Sequence, residues 1–204
     1  MSEIEEDGSD IKDDSSATIE IPTEEDSIRI TGIYGDIDEE RSRDTLISLL
    51  SLYHAGKDLE DEENSSCRPI EFIISTAGGS ISDMFAIYDT IRYVREDVEV
   101  HTRGIGRVMS AGILLLASGT KGHRKIGKHC RLMFHNVIAG QDGSLPELKI
   151  SFEEAIYQQN ILLQAMAEET NITVKQLKKL ISKNTDVYFS AEEAIEFGIA
   201  DIIV

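Results

Sequence analysis

The sequence predicts an α/β fold, in which short apolar strands alternate with helices along the chain. Two short runs, PIEFIIS at 69–75 and VEVHTR at 98–103, are apolar or β-branched and have the length of strands. The segment between them instead repeats its apolar residues at helical spacing over 81–91. Such alternation implies a sheet with parallel pairing and right-handed crossovers. A length of 204 residues with 41% hydrophobic side chains suits one domain with a sizeable core.

The first predicted elements are a strand and a helix. The segment IRITGIYGDI begins at Ile28 and carries β-branched residues, so we predict a strand that ends near Gly35. A helix then opens at Asp38 and ends at Gly56, because glycine commonly follows the last helical turn. Its apolar residues share one face: Leu46, Leu49, Leu50 and Tyr53. An acidic loop, KDLEDEENSSC, leads to the next strand.

Gly78 and Gly79 lie between the strand at 69–75 and the helix that follows it. Paired glycines at such a turn let the backbone come close to a neighbour and leave its N–H groups unshielded by side chains. The turn lacks the GxGxxG spacing of a dinucleotide site and the lysine of a P-loop, so a phosphate cradle fits poorly. A tight turn without a ligand is the alternative interpretation.

Ser110 lies in the segment GRVMSAG, directly before an apolar run at 113–117 that predicts a short buried helix. A helix that begins at this serine would aim free backbone N–H groups at an oxyanion formed there. The turn differs from the nucleophile elbow of the α/β-hydrolases, because Val108 stands where that motif needs glycine. A helix that merely begins with a capping serine is the alternative. The following strand, RLMFH, ends at His135.

A long helix is predicted at 151–169, after the glycine-containing linker NVIAGQDGSLPEL. Ser151 and Glu154 have the spacing of a capping box at its start. The apolar residues of this helix cover more than one face, which favours self-association through it.

The last part of the chain supplies an aspartate and two shorter helices. Capping boxes are predicted at Thr173 with Gln176 and at Ser190 with Glu193. Asp186 lies on a turn just before an aromatic pair, where we expect its carboxylate to be partly buried. The final helix is closed by glycine at position 198 and followed by a last strand.

The charge distribution divides the chain and excludes several classes of partner. The formal net charge is −18, and the first 26 residues alone carry 11 acidic residues and one lysine. We therefore predict an acidic arm at 1–27, disordered or binding a partner, and a folded domain at 28–204. No basic patch could neutralise several phosphates, which argues against binding of nucleic acid or of an anionic membrane. No apolar stretch reaches bilayer length and the acidic start is unlike a signal peptide, so we expect a soluble, cytoplasmic protein.

The cysteines and histidines show no pattern typical of a metal site or a disulfide framework. Cys67 and Cys130 lack CxxC spacing. No pair among His123, His129, Cys130 and His135 has the spacing of a zinc site on a helix or in a knuckle. We therefore predict no metal site.

Ser110, His135 and Asp186 supply the three groups of an acyl-transfer site. A serine hydroxyl needs a base to accept its proton and a third group to orient that base. Their order along the chain is Ser, His, Asp, which disfavours the α/β-hydrolase, chymotrypsin and subtilisin families, each of which has another order.

Four motifs in the same order resemble the ClpP family, the proteolytic subunits of the ATP-dependent Clp proteases: AGGSISDMFAIYDTI, GRVMSAGILLLASGTKGHR, RLMFH and FSAEEAIEFGIADII. The similarity covers residues 28–204. It implies a ClpP/crotonase-type spiral of ββα units with a projecting helical handle at about 136–170. It also implies a homo-oligomer of heptameric rings stacked in pairs, which cleaves unfolded proteins or peptides. The chain itself would use no cofactor, because ATP would be consumed by a separate AAA+ unfoldase of Clp type.

The resemblance assigns roles to five positions of this sequence. Ser110 matches the nucleophile in the family's G-x-x-x-S-x-G turn, His135 matches the base in its M-x-H strand, and Asp186 matches the aspartate before the S-A-E-E-A helix. The backbone N–H groups of the second paired glycine and of the residue after the nucleophile form the family's oxyanion hole. They correspond to Gly79 and Ala111.

Departures from the family pattern leave other functions open. Ala77 replaces a usual proline, and Val137 also stands where proline is usual, which bears on substrate preference more than on catalysis. The acidic arm has no resemblance to the family's axial-pore segment. The alternatives are a catalytically silent ring subunit, a crotonase-type acyl-CoA enzyme, which the triad disfavours, and a viral-type capsid-maturation protease of the same fold.

Overall fold

Strands and helices alternate along the chain, as the sequence predicts. The computed structural model describes residues 28–63, 67–182 and 185–204, with 58–63 described by their backbone only, and the predicted acidic arm at 1–27 lies outside the described residues. The strands are β1 (Ile30–Tyr34), β2 (Ile70–Thr76), β3 (Val100–Met109), β4 (Lys125–Ile126), β5 (Arg131–Phe134), β6 (Val187–Phe189) and β7 (Ile202–Ile203). The helices are α1 (Glu39–Glu63), α2 (Ile81–Val94), α3 (Gly112–Ala117), α4 (Leu145–Glu169), α5 (Val174–Ile181) and α6 (Ala191–Glu196). Within these ranges, no helix combines the length and the apolar character needed to cross a membrane.

The strands form one sheet, which is parallel except at one pair. The main order is β1-β2-β3-β4-β7, and all neighbours along it are parallel. β5 lies parallel to the second half of β3, with Leu132 opposite Val108. The exception is β6, which runs antiparallel to β5. The predicted α/β class is therefore confirmed, with one antiparallel pair that the alternation of elements did not predict.

Helix α3 lies at the centre of the core. All six of its residues are buried, and it contacts strands β2, β3 and β5 as well as helices α2 and α4. Other large, fully buried side chains come from α1, the strands and α2: Leu49, Ile70, Phe72, Ile74, Met84, Ile87 and Ile91. A helix packed on all sides has little freedom to move, so α3 gives the turn before it a fixed position.

Helix α4 begins earlier than the sequence analysis predicted. Its N-cap is Ser144, and Ser144 with Glu147 forms the capping box, whereas Ser151 lies inside the helix. Pro146 occupies the first turn, where its missing N–H costs nothing. No residue of α4 up to position 161 is buried, and burial begins at Leu162. The first half of this helix therefore carries its apolar side chains on the surface.

Helix α1 continues past Gly56, which the sequence analysis took as its end. A Cβ at this position would lie 2.3 Å from the Sγ of Cys67 and 2.5 Å from Nη2 of Arg29. The glycine is therefore required by close packing within the helix, not by a turn after it. The helix extends to Glu63, so most of the predicted acidic loop is helical.

The remaining helix boundaries follow the predicted caps. Thr173 and Ser190 each accept a hydrogen bond from the backbone three residues on, in complete capping boxes. Gly198 has φ +68° after α6, as a glycine that ends a helix often does.

Arg124 joins the carboxyl ends of α3 and α4. Its guanidinium donates to the carbonyls of Ala117 (3.3 Å) and Glu169 (2.8 Å) and forms a two-point pair with Asp201, through Nε–Oδ2 at 2.8 Å and Nη2–Oδ1 at 2.6 Å. Arg95 adds a bidentate pair with the buried Glu169 carboxylate. The last carbonyls of both helices are thus satisfied by the buried Arg124 guanidinium.

Candidate active site

Three parallel strands bring the predicted site residues to one edge of the sheet. β2 ends at Thr76, β3 at Met109 and β5 at Phe134, and the residues that follow form the turns at this edge. β3 and β5 are paired with Met109 opposite Met133, so the first residues beyond the two strands, Ser110 and His135, emerge close together. The carboxyl edge of a parallel sheet is where such α/β folds commonly place their sites.

Ser110 occupies a strained turn between β3 and α3. Its φ is +53°, and it is the sole residue other than glycine with positive φ in the described ranges. The Ser110 N–H donates to the Met133 carbonyl (2.7 Å), and Ser110 Oγ lies 2.8 Å from His135 Nε2. The alternative of a capping serine is wrong, because the N-cap position of α3 is Ala111 and no side chain caps it. Such strain at a strand-to-helix turn is typical of an exposed nucleophile.

The paired glycines make room for this turn. Gly78 has φ +101°, and a Cβ there would lie 2.5 Å from the Cβ of Ser110. Gly79 has φ +155°, and a Cβ there would lie 2.1 Å from the carbonyl oxygen of Ile37. Close backbone approach was predicted for this pair, but its contact with Ser110 was not. No side chain larger than hydrogen fits at either position without moving the backbone.

Two backbone N–H groups beside Ser110 are available to a ligand. Gly79 and Ala111 both line the cleft that contains Ser110. Within the described residues, neither N–H donates a hydrogen bond, whereas the neighbouring N–H groups of Gly78 and Ser110 do. Two backbone N–H groups at one cleft, without an acceptor in the described part of the chain, are the kind of donors that an oxyanion hole requires.

The two residues after His135 form hydrogen bonds to two other segments of the chain. The Asn136 side-chain amide donates to the Ile181 carbonyl (2.8 Å), and the Val137 N–H donates to Gln159 Oε1 on α4 (3.1 Å). Sequence analysis missed both contacts, because they join segments more than 20 residues apart. They fix the backbone that carries the imidazole.

No hydrogen bond joins Asp186 to His135 in the described part of the chain. The Asp186 carboxylate is exposed, which contradicts the predicted partial burial. Asp186 nevertheless lies directly before β6, which pairs with β5 so that Val187 is opposite Phe134. The same register, continued by one residue, places Asp186 opposite His135 on a neighbouring strand end. Directly opposite residues in such a pair have Cβ atoms roughly 5 Å apart.

The cleft beside Ser110 has a volume of about 340 Å³. Its walls are mostly apolar, with side chains from the turn after β5 and from α4. They include Ile81, Phe134, Val137, Ile138, Ala139 and Leu162. A cleft of this size with mostly apolar walls can take up a small apolar group beside Ser110 and His135.

Comparison with known proteins gives one family. A family model described as Clp protease matches residues 20–204. The ATP-dependent Clp protease proteolytic subunit 1 of Corynebacterium jeikeium is 36% identical over 137 residues, which cover 67% of this chain and 71% of the relative. The subunit of the same name from Gloeobacter violaceus is 32% identical over 176 residues, 86% of this chain and 83% of the relative. That from Prochlorococcus marinus is 33% identical over 137 residues, 67% of this chain and 68% of the relative.

Proposed function

This chain belongs to the Clp protease family as a proteolytic subunit, and we propose that it is a serine endopeptidase with Ser110 as its nucleophile. The observation that carries the proposal is the 2.8 Å separation of Ser110 Oγ and His135 Nε2 at a strained strand-to-helix turn. A base at hydrogen-bond distance is what activates a serine hydroxyl at neutral pH.

In the proposed reaction, Ser110 Oγ attacks the peptide carbonyl carbon while His135 Nε2 accepts the hydroxyl proton. The carbonyl oxygen becomes an oxyanion, which accepts hydrogen bonds from the N–H groups of Gly79 and Ala111. His135 then gives its proton to the leaving amine, and water repeats the sequence on the acyl-serine. Each oxyanion donor is worth about 3 kcal/mol of barrier lowering. These proton transfers use no cofactor bound to this chain.

We assign Asp186 the role of orienting the His135 imidazole through Nδ1. The pairing of Phe134 with Val187, the residues directly before His135 and directly after Asp186, supports this role. The Asp186 side chain is exposed, so it is free to adopt another rotamer that points toward His135. An Asp186→Asn variant should lose about 10⁴-fold in kcat, because the amide favours the wrong imidazole tautomer. Equal kcat in Asp186→Asn and in the exposed control Asp142→Asn would show that Asp186 does not orient the imidazole.

We further propose that the chain works as a homo-oligomer of heptameric rings stacked in pairs, supplied with unfolded protein by an ATP-driven Clp unfoldase. The printed names of the relatives describe ATP-dependent proteases. The exposed apolar side chains on the first half of α4 support association with further copies: Leu145, Ile150, Phe152, Ile156 and Tyr157. Enclosing the serine inside such a particle would restrict cleavage to chains that have been unfolded and delivered.

A fluorophosphonate probe tests the nucleophile directly, with particle mass recorded on the same sample. Wild type should be labelled and should cleave a short peptide, while Ser110→Ala should do neither at unchanged particle mass. Ser80→Ala is the matched control, because Ser80 lines the same cleft but its hydroxyl caps α2 through Asp83. An assembled wild type that is neither labelled nor active would contradict the proposal.

A catalytically silent ring subunit is the second candidate. The observation that favours it is the exposed Asp186, which makes no hydrogen bond to His135 within the described residues. The probe experiment separates the two, because a silent subunit assembles without labelling. The acyl-CoA and viral alternatives gain no support from the relatives, which are named as Clp proteolytic subunits.

A further inference from the structure

Three side chains with metal-binding atoms meet at the end of β3 opposite to Ser110. Glu99 precedes the strand, His101 is its second residue, and His123 lies in the turn before β4. The pairing with β2 matches the seven steps from His101 to Val108 with five steps of the neighbouring strand, so His101 and Ser110 are roughly 23 Å apart along the sheet. The group is therefore separate from the candidate active site.

The two imidazoles converge on one carboxylate oxygen. Glu99 Oε2 lies 2.7 Å from His101 Nε2 and 3.9 Å from His123 Nε2. The two rings are stacked in parallel with their centroids 4.1 Å apart. All three potential ligand atoms lie within 4.8 Å of one another. Ligand atoms around a tetrahedral zinc ion are roughly 3.4 Å apart, as follows from bond lengths of about 2.0–2.1 Å, so shifts of about 1 Å and a tilt of one ring would close the set.

The backbone under the two histidines is held in place independently of any ion. Val100 and Thr120 are linked twice, through Thr120 N–H to the Val100 carbonyl (2.8 Å) and Val100 N–H to Thr120 Oγ1 (2.9 Å). Asp201 Oδ2 accepts from the backbone N–H groups of Gly122 and Arg124, on either side of His123. The turn that carries His123 is thus fixed against the start of β3, which lowers the entropy cost of binding at this point.

The neighbouring cationic side chains pair with a carboxylate other than Glu99. Arg103 and Lys125, further along β3 and on β4, pair with Glu71 at 3.1 and 3.7 Å. The His101 side chain is mostly buried, at 14% exposed, while Glu99 and His123 are about half exposed. An ion would enter from this open side.

We propose that Glu99, His101 and His123 bind a divalent cation of the zinc class. Two neutral imidazoles and one carboxylate are a donor set that Zn²⁺ accepts in tetrahedral geometry, and the exposed side leaves the fourth position to water. Hard cations such as Mg²⁺ and Ca²⁺ prefer all-oxygen sites and fit these donors poorly. A bound ion would cross-link the start of β3 to the turn that precedes β4 and so stabilise this end of the sheet.

Isothermal titration of Zn²⁺ into the full-length protein, stripped beforehand with a chelator, tests the proposal. Wild type should bind one equivalent per chain at this site. His123→Ala and Glu99→Gln should raise the dissociation constant for this Zn²⁺ by at least about 10- to 100-fold. Loss of a residue that only supports a metal ligand typically costs that much affinity. Both positions are half exposed, so the variants should fold, which circular dichroism and particle mass would check. Thermal stability of the wild type should also rise with Zn²⁺ concentration.

Two other histidine variants serve as controls. His129→Ala removes an exposed imidazole outside the group, and His135→Ala removes the proposed catalytic base. Both variants should still bind one Zn²⁺ per chain with the wild-type affinity. No stoichiometric binding to wild type would overturn the proposal, as would binding unchanged in His123→Ala. Loss in His135→Ala with retention in His123→Ala would place the ion in the catalytic cleft instead.

Discussion

Helix α3 and the first half of helix α4 are both rich in apolar residues, yet α3 is buried in the core and the first half of α4 is exposed to solvent. All six residues of α3 are buried among strands and helices of the same chain. In α4 no residue before position 162 is buried, and Leu145 is 84% exposed. Since both helices contain leucine and isoleucine, composition alone does not separate a core helix from a surface helix.

The difference indicates that chemistry and assembly are set by different parts of this chain. α3 fixes the turn of Ser110 through contacts within one chain, and Ser110 Oγ and His135 Nε2 already lie at hydrogen-bond distance in that single chain. The exposed apolar face of α4 finds no partner within the described part of the chain, which is typical of a surface that contacts another chain. Substitutions in the two regions should therefore have separable effects.

The largest expected effect is on catalysis without any effect on assembly. His135→Ala removes the proposed base and should lower kcat on a short peptide by on the order of 10⁶-fold. Particle mass should not change, because His135 lies in the cleft and not on α4. His129→Ala should retain wild-type activity. A His135→Ala protein that fails to assemble would show that the two functions are coupled.

The next effect is on the stability of the fold. Leu115→Ala leaves a cavity in the buried α3 and should reduce the free energy of unfolding by about 2–5 kcal/mol. The matched change Leu145→Ala, at the exposed start of α4, should change it by less than about 0.5 kcal/mol at protein concentrations where no oligomer forms. Denaturation with urea measures both. Equal losses would mean that the start of α4 packs on its own chain.

A smaller effect is expected on association. The double substitution Leu145→Ser and Phe152→Ser replaces two exposed apolar side chains of α4 and should raise the dissociation constant of the oligomer by roughly 10-fold or more. Lys149→Ser, a polar change on the same helix, is the control. Analytical ultracentrifugation gives the masses. Unchanged association of the double variant would assign the contact to another surface.

The smallest effect concerns acid stability at the junction of the two helix ends. Burial opposes ionisation of Asp201, but the hydrogen bonds from Arg124 and Gly122 outweigh it, so the pKa of Asp201 is lowered from 3.8. A lowered pKa in the folded state stabilises the fold above about pH 3.8, and this contribution is lost as the pH falls through the folded value.

Urea denaturation of wild type from pH 5 to pH 2 should therefore show a decline that is shallower in Asp201→Asn. Asp142→Asn, in the exposed linker before α4, should keep the wild-type slope. An identical slope in all three proteins would show that Asp201 contributes nothing to acid sensitivity. The effect should be smaller than that of Leu115→Ala, because Asp201 remains partly accessible to water, which weakens its pair with Arg124.

The sequence predicted those features of the fold that depend on local patterns. Apolar periodicity and capping boxes gave most strands and helices, and the turns of Gly79 and Ser110 were placed next to the strands that carry them. The start of α4 was wrong because two Ser-x-x-Glu spacings begin seven residues apart, and only the first, Ser144 with Glu147, leaves Pro146 in the first turn. The end of α1 was wrong because Gly56 serves tertiary packing and not a turn.

Features that depend on contacts between distant segments were outside the reach of local patterns. The proximity of Ser110 and His135 follows from the pairing of β3 with β5, and chemistry alone had only named the two as candidates. The positive φ of Ser110 and its fit against Gly78 depend on packing between two turns. Glu99, His101 and His123 lie up to 24 residues apart, so the spacing rules for zinc motifs did not apply to them.

The positive φ of Ser110 determines which residue would be most stable at this position. A residue with a side chain costs about 1–2 kcal/mol in the left-handed region, and glycine would remove most of that cost. A lineage that had no use for the hydroxyl would gain stability from any drift to glycine at this position. The serine is therefore the less stable choice for the fold, and its presence is a sign of selection for a reactive group.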